Sequence, residues 1–140
     1  MNQQKIMKLG AILFTIGLFT GLWTALALAD FIRIPLPHLA LAAHLNGLIG
    51  GLWLIAVGLS IPFLSYKEKQ LNVLCWSSCI PAFGNWFITL IASLWGVRGL
   101  LYNENPKNNI IAFLLQFFVV LPSLFAGIYW IKGFSTPKKK

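Results

Sequence analysis

The chain has 140 residues, 58% of them hydrophobic and 10% charged, with a formal net charge of +8. So little polar material excludes a soluble domain beside the membrane spans and confines any chemistry to the inside of helices or the gaps between them. Nucleic acid is excluded as a partner, because the positive charge is scattered over flanks and short loops; Lys138–Lys140, beside a span, suit an anionic lipid surface instead.

Leu9–Ala29, Ile34–Tyr66, Gln70–Val97 and Asn108–Ile131 contain no Lys, Arg, Asp or Glu. A helix rises about 1.5 Å per residue, so ~20 residues cross a ~30 Å hydrocarbon core. Only helices and closed barrels satisfy the backbone in lipid, and runs this long without strict alternation are helices. The expectation is an all-α polytopic membrane protein: one membrane domain over residues 1–140, a bundle of four transmembrane helices near 9–29, 37–65, 70–97 and 108–131.

Lys5 and Lys8 precede the first span, and Ala27-Leu28-Ala29 closes it. That layout resembles a secretory signal, but the apolar run is too long and carries Gly17-x-x-x-Gly21, a helix-packing motif, so a retained span is expected. Pro35 and Pro37 mark the start of the second span. Cys75 and Cys79 lie one turn apart in the third and are expected to stay reduced and apolar. Pro81 and Pro122 fall inside the third and fourth spans and should kink them. Asn103-Glu104-Asn105-Pro106 is turn chemistry before the fourth. Lys5, Lys8, Lys67, Lys69, Lys132 and Lys138–Lys140 fall on one side, against Arg33, Arg98 and Lys107 on the other. The positive-inside rule then places N and C termini in the cytoplasm, with a bacterial cytoplasmic membrane as the expected location.

Steps of about 100° per residue give each helix a small or polar seam. Gly10, Gly17, Gly21 and Thr24 share a face of the first helix, and His44, Gly47, Gly51 and Gly58 one of the second. Ser78, Pro81, Asn85, Thr89, Ala92 and Gly96 form a stripe on the third. Asn109, Ala112, Gln116, Ser123 and Gly127 do so on the fourth. His44, Thr89 and Gln116 lie roughly 10–12 Å below one surface, with Asn85 a turn deeper. They are expected to meet at one level in the outer half of the bilayer. His44 is the one ionisable side chain well inside a span apart from the two thiols, and such residues are functional candidates. The amides and hydroxyls can equally be interhelical glue, worth about 1 kcal/mol each. His38, at the helix mouth, reads as interfacial. No carboxylate lies within a span and no G-x-S-x-G is present. That disfavours carboxylate-bound metals, acidic proton relays, paired-acid hydrolysis and Ser–His hydrolysis. A neutral imidazole beside glycines fits a porphyrin, since Gly47 and Gly51 leave no Cβ to block a flat plane. The competing reading of these glycines is plain helix–helix contact.

Two segments carry a family resemblance: Ala43-His44-Leu45-x-Gly47-Leu48-x-x-Gly51, and Asn85-Trp86-x-x-Thr89-Leu90-x-Ala92-x-x-Trp95-Gly96. With the order and spacing of the spans, they make the chain resemble the hydroxylaminobenzene mutase family, related to styrene oxide isomerase. The resemblance implies a four-helix membrane isomerase that moves oxygen within a small aromatic substrate, arylhydroxylamine to aminophenol or aryl epoxide to aldehyde. It implies haem b between the protomers of a homotrimer, with His44 on the iron and Gly47 and Gly51 beside it. Asn85 and Thr89 become the catalytic candidates, and Asn46, Gly50, Trp86 and Gln116 the substrate-binding ones. The chain departs from the family where Gly50 replaces an asparagine, with Asn46 one turn away. Thr89 agrees with the mutases rather than the epoxide isomerases, which have tyrosine there. The alternative is a non-enzymatic membrane scaffold whose polar seams serve assembly.

Overall fold

Asn2 opens the first helix, its side chain accepting the Lys5 N–H at 2.9 Å. The computed structural model describes residues 1–135; Lys138–Lys140, which carry part of the expected charge asymmetry, lie outside the described residues. Helix α1 runs Gln3–Leu28, α2 Pro37–Ser60 and α3 Glu68–Trp95. The last span is built in three pieces: α4 Pro106–Leu115, a π turn Gln116–Val120 and α5 Leu121–Ser135. All four spans are long and apolar enough to cross a membrane.

The ends are set by local chemistry. Pro37 starts α2, where its missing N–H costs nothing. A single 3₁₀ turn, Ile61–Phe63, ends that span around Pro62. Gln70 Oε1 accepts the Lys67 N–H and caps α3, and Gly96 ends it in the left-handed conformation at φ 69. Pro81 stays within α3 without ending it. Pro122 has a different effect. It has no N–H for the Phe118 carbonyl, and just before it the helix widens, the Leu121 N–H reaching back five residues to Gln116 O.

Ile6, Gly10, Leu13, Gly17, Thr20, Thr24 and Ala27 are the buried residues of α1, spaced alternately four and three apart over most of its length. That is the seam of a left-handed helix pair, and α2 runs antiparallel along it. A Cβ on Gly47 would lie 2.7 Å from Gly17 Cα, and one on Gly51 2.7 Å from Gly10 O. Backbone meets backbone, which only glycine permits. α3 packs on the next face of α2, around Leu54, Val57, Leu74, Cys75 and Cys79. Both thiols are buried in this apolar core, with no disulfide between them.

The last span packs chiefly on α3 and is tied at both ends. At one, Trp130 Nε1 donates to Ser60 Oγ at 2.7 Å, Trp53 and Trp130 stack edge-on at 5.3 Å, and Ser65 N–H donates to Gly133 O. At the other, Asn108 accepts from Gly99 N–H and donates to Leu101 O. Between them, Phe113, Phe117, Phe118, Leu124 and Ile128 stand exposed. Met7 lies against Gly58 at the end where Ser65 meets Gly133, so both ends of the described chain share one side.

Gly47→Ala should destabilise the protein by about 1–3 kcal/mol, because the new Cβ overlaps backbone that cannot rotate away. Gly127→Ala should be neutral, since nothing lies within 4 Å of its Cβ position. Thermal unfolding in detergent separates the two; equal midpoints would refute the close backbone contact.

Candidate functional site

At mid-span, α2, α3 and the last span line a partly open cavity of about 170 Å³. α2 lends it Asn46, Ile49, Gly50 and Trp53; α3 lends Pro81, Ala82 and Asn85; the last span lends Val119 and Ser123. Space exists here because Gly50 and Ala82 are small where α2 meets α3, and because the π turn disturbs the packing of the third wall. An apolar cavity of about 150 Å³ holds a benzene molecule. This one therefore suits a single aromatic ring. It is far too small for a porphyrin.

One hydroxyl links its two amides. Asn46 Nδ2 donates to Thr89 Oγ1 at 3.1 Å, and Thr89 Oγ1 donates to Asn85 Oδ1 at 3.4 Å, a long bond. Thr89 is only 8% exposed, so the link is held inside the protein. A hydroxyl has one proton, and spending it on Asn85 fixes the direction of the chain. Asn85 is left with its N–H donors uncommitted and Asn46 with its carbonyl oxygen uncommitted. The cavity thus offers an amide donor on one wall and an amide acceptor on another.

His44 is elsewhere. Its Nδ1 lies 2.8 Å from Gly17 O, across the α1–α2 contact. A carbonyl only accepts, so Nδ1 carries a proton, and in the neutral ring the lone pair is on Nε2. The ring lies over Gly21, where a Cβ would sit 2.6 Å from it. Gly17 and Gly21 are therefore the seat of the imidazole as well as a packing motif. His44 and Asn46 are two residues apart, about 160° around α2, and face different neighbours.

Several expectations need correction. Gly47 and Gly51 are buried against the backbone of α1, so the flat slot expected beside His44 is filled by protein. Gln116 points away from the cavity; it is exposed and accepts from Tyr102 Oη at 3.3 Å. Trp86 donates to Thr20 Oγ1 at 3.0 Å, beside Gly47, and braces α3 against α1. The expected meeting of His44, Gln116, Asn85 and Thr89 reduces to Asn85 and Thr89, joined by Asn46. Uniform 100° steps put Gln116 and Ser123 on one face, but the π turn between them shifts the phase by about one residue, so Ser123 reaches the cavity and Gln116 does not. Of the substrate-binding candidates, Asn46 and Gly50 do line the cavity, at mid-span rather than in the outer half. Trp53, Ile49 and Val119 are walls that polar spacing could not reveal, since they are apolar; Pro122 was the signal for the π turn. His38 is exposed in the first turn of α2.

Among the described residues no cluster of three or more His, Cys, Asp or Glu could hold a bare metal ion. For a haem the fit is divided. The His44 imidazole is a suitable axial ligand: a ligating histidine commonly donates its other N–H to a backbone carbonyl, which is the arrangement at Gly17. Gly47 and Gly51 offer a porphyrin no room within the chain.

The family model described as styrene oxide isomerase matches residues 2–134. The hydroxylaminobenzene mutase HabA of Ectopseudomonas oleovorans is 29% identical over 133 residues, covering 89% of this chain and 92% of that protein. The hydroxylaminobenzene mutase HabB of the same organism is 30% identical over 96 residues, 69% of this chain and 54% of that protein. The match to HabB thus spans about half its length. No solved structure matches the chain.

Replacing Thr89 by Val removes the hydroxyl that joins the amides. A double-mutant cycle of Thr89→Val with Asn46→Leu should give a coupling energy of about 0.6–1.7 kcal/mol, the range for hydrogen bonds between membrane helices. A coupling near zero would show that the two side chains do not bond.

Proposed function

The chain belongs to the styrene oxide isomerase family, and we infer from that membership and from the cavity that it is a membrane isomerase for small aromatic substrates. We propose that it converts an arylhydroxylamine to an aminophenol, an intramolecular transfer of the hydroxy group. The names of HabA and HabB support that substrate over an aryl epoxide. The observation that carries the reading is the Asn46–Thr89–Asn85 chain on a one-ring cavity.

In such a reaction the N–O bond breaks, a C–O bond forms on the ring, and the displaced ring proton ends on nitrogen; no oxidant is consumed. Charge develops on the departing oxygen. Asn85 Nδ2 donates to that oxygen, and in a site without water such a donor counts most. Asn46 Oδ1 accepts the substrate N–H and holds the nitrogen. Thr89 keeps both amides in one orientation, so little reorganisation is needed as charge appears. Trp53, Pro81 and Ile49 form apolar walls that keep bulk water away from the electron-poor ring. Ile49, at the rim, is 64% exposed, and substrate dissolved in the bilayer enters past it.

Haem b, implied by the resemblance, would be held by Nε2 of His44 and would supply a Lewis acid when bound. The exposed flank of the last span serves lipid and, in the same reading, a homotrimer interface. Termini in the cytoplasm of a bacterial cell remain the orientation that the lysines support.

Purified protein given hydroxylaminobenzene should form an aminophenol, measured by liquid chromatography, with ¹⁸O of the hydroxylamine retained in the product. Asn85→Leu should lower kcat by ~10²-fold, the cost of losing one preorganised donor. Label lost to solvent would refute intramolecular transfer. Full activity in Asn85→Leu would refute the cavity as the site, and a wild-type protein without turnover would favour the scaffold reading. Independently of turnover, protein expressed with haem should show a Soret band that His44→Ala abolishes; a band unchanged by that substitution would remove His44 as the ligand.

A further inference from the structure

Serines and threonines inside helices usually donate to a carbonyl three or four residues earlier. Ser60, Ser77, Ser78, Ser93, Thr15 and Thr20 all do so here. Ser123 and Thr24 do not: among the described residues neither hydroxyl has a hydrogen-bond partner, and of the two it is Ser123 that lines the cavity. At Ser123 the local cause is the preceding turn. Carbonyls that would receive the hydroxyl belong to Val119 and Val120, the last residues of the π turn, whose wider ring takes them out of the usual register.

Ser123 is exposed on the last span, and in water that would need no account. It lies about 18 Å along the helix from Ser135 and about 25 Å from Pro106, well inside a span, where no bulk water reaches. A hydroxyl left unpaired in such a medium is costly. It also lines the cavity that Asn46 and Asn85 line from the other helices. A ligand with a hydroxyl group would satisfy it.

We propose that Ser123 is a substrate-contacting residue, its O–H donating to the oxygen of the aromatic hydroxylamine and of the phenolic product. This rests on the reaction proposed above, and it adds a third polar contact, from the last span, where Ser123 takes the place that the seam had assigned to Gln116. Asn46 and Asn85 come from α2 and α3, so Ser123 makes oxygen recognition depend on where the last span sits. It keeps its proton throughout, so it orients the oxygen and takes no part in acid–base transfer. Pro122 and the π turn are then the device that frees this hydroxyl from its own helix.

The test pairs two ligands of one size, 4-fluorophenol and 4-fluorotoluene, titrated into the intact protein in detergent and followed by ¹⁹F NMR. Ser123→Val is close in shape but has no hydroxyl; Ser123→Thr restores one. Ser123→Val should weaken 4-fluorophenol about three- to tenfold, the worth of one neutral hydrogen bond, and leave 4-fluorotoluene within about twofold. Ser123→Thr should recover most of the phenol affinity. Ser78→Ala, which loses only a bond to its own helix, should change neither. With hydroxylaminobenzene, Ser123→Val should raise KM or lower kcat by a similar factor. Equal weakening of both ligands, or no change for the phenol, overturns the proposal. So does unchanged phenol binding with an altered oligomer size, which would assign the hydroxyl to subunit contact. A wild-type protein that binds neither ligand overturns it together with the proposed cavity. Phenol binding that depends on Ser123 in a protein inert toward hydroxylaminobenzene upholds the contact and refutes only the reaction.

Discussion

A polar group inside hydrocarbon has no water to turn to, and most of the architecture depends on where each one finds a partner. His44 finds Gly17 O, Trp86 finds Thr20, and Asn46, Thr89 and Asn85 find one another. Each of these bonds joins two spans except the Thr89–Asn85 link, which lies within α3. They set which faces of α1, α2 and α3 meet, and apolar packing fills in behind them. Thr24 Oγ1 and Asn72 Oδ1 are buried without partners; nothing in the structure explains either.

α2 divides the labour. One side, with His44, Gly47 and Gly51, closes on α1 at backbone distance. The other, with Asn46, Gly50 and Trp53, faces the cavity. The first side trades side chains for closeness. The second packs less tightly: an added Cβ at Gly50 would meet Leu13 and Ala82 at 3.1–3.4 Å, against 2.7 Å at Gly47 and Gly51. A helix that was glycine-poor on either side would lose either the pair or the hole.

Much of this could be read from the residues. Charge-free length located the four spans to within a few positions, missing mainly the lysine-bearing first turns of α1, because a helix can continue past the membrane surface. The seam of α1 was legible through its glycines, and Asn85 and Thr89 through their spacing. What could not be read was which neighbour each seam meets. His44 and Asn46 look equally buried on paper, yet face α1 and α3. The glycines beside His44 supported two readings, a slot or a contact, and only the fold decides for contact. The π turn defeats uniform angular steps, so Gln116 falls outside and Ser123 inside. The apolar walls carry no signal distinct from lipid-facing residues.

The three walls of the cavity have different histories during synthesis. α1 and α2 form a tight antiparallel hairpin from the first half of the chain, and they can associate as soon as both have left the ribosome and entered the bilayer. The last wall lies on the span that emerges after all the others. A nascent chain therefore carries a sound scaffold long before it has a chamber. The chamber closes only when that span has joined the others, so the order of synthesis builds the frame first and the cavity after it.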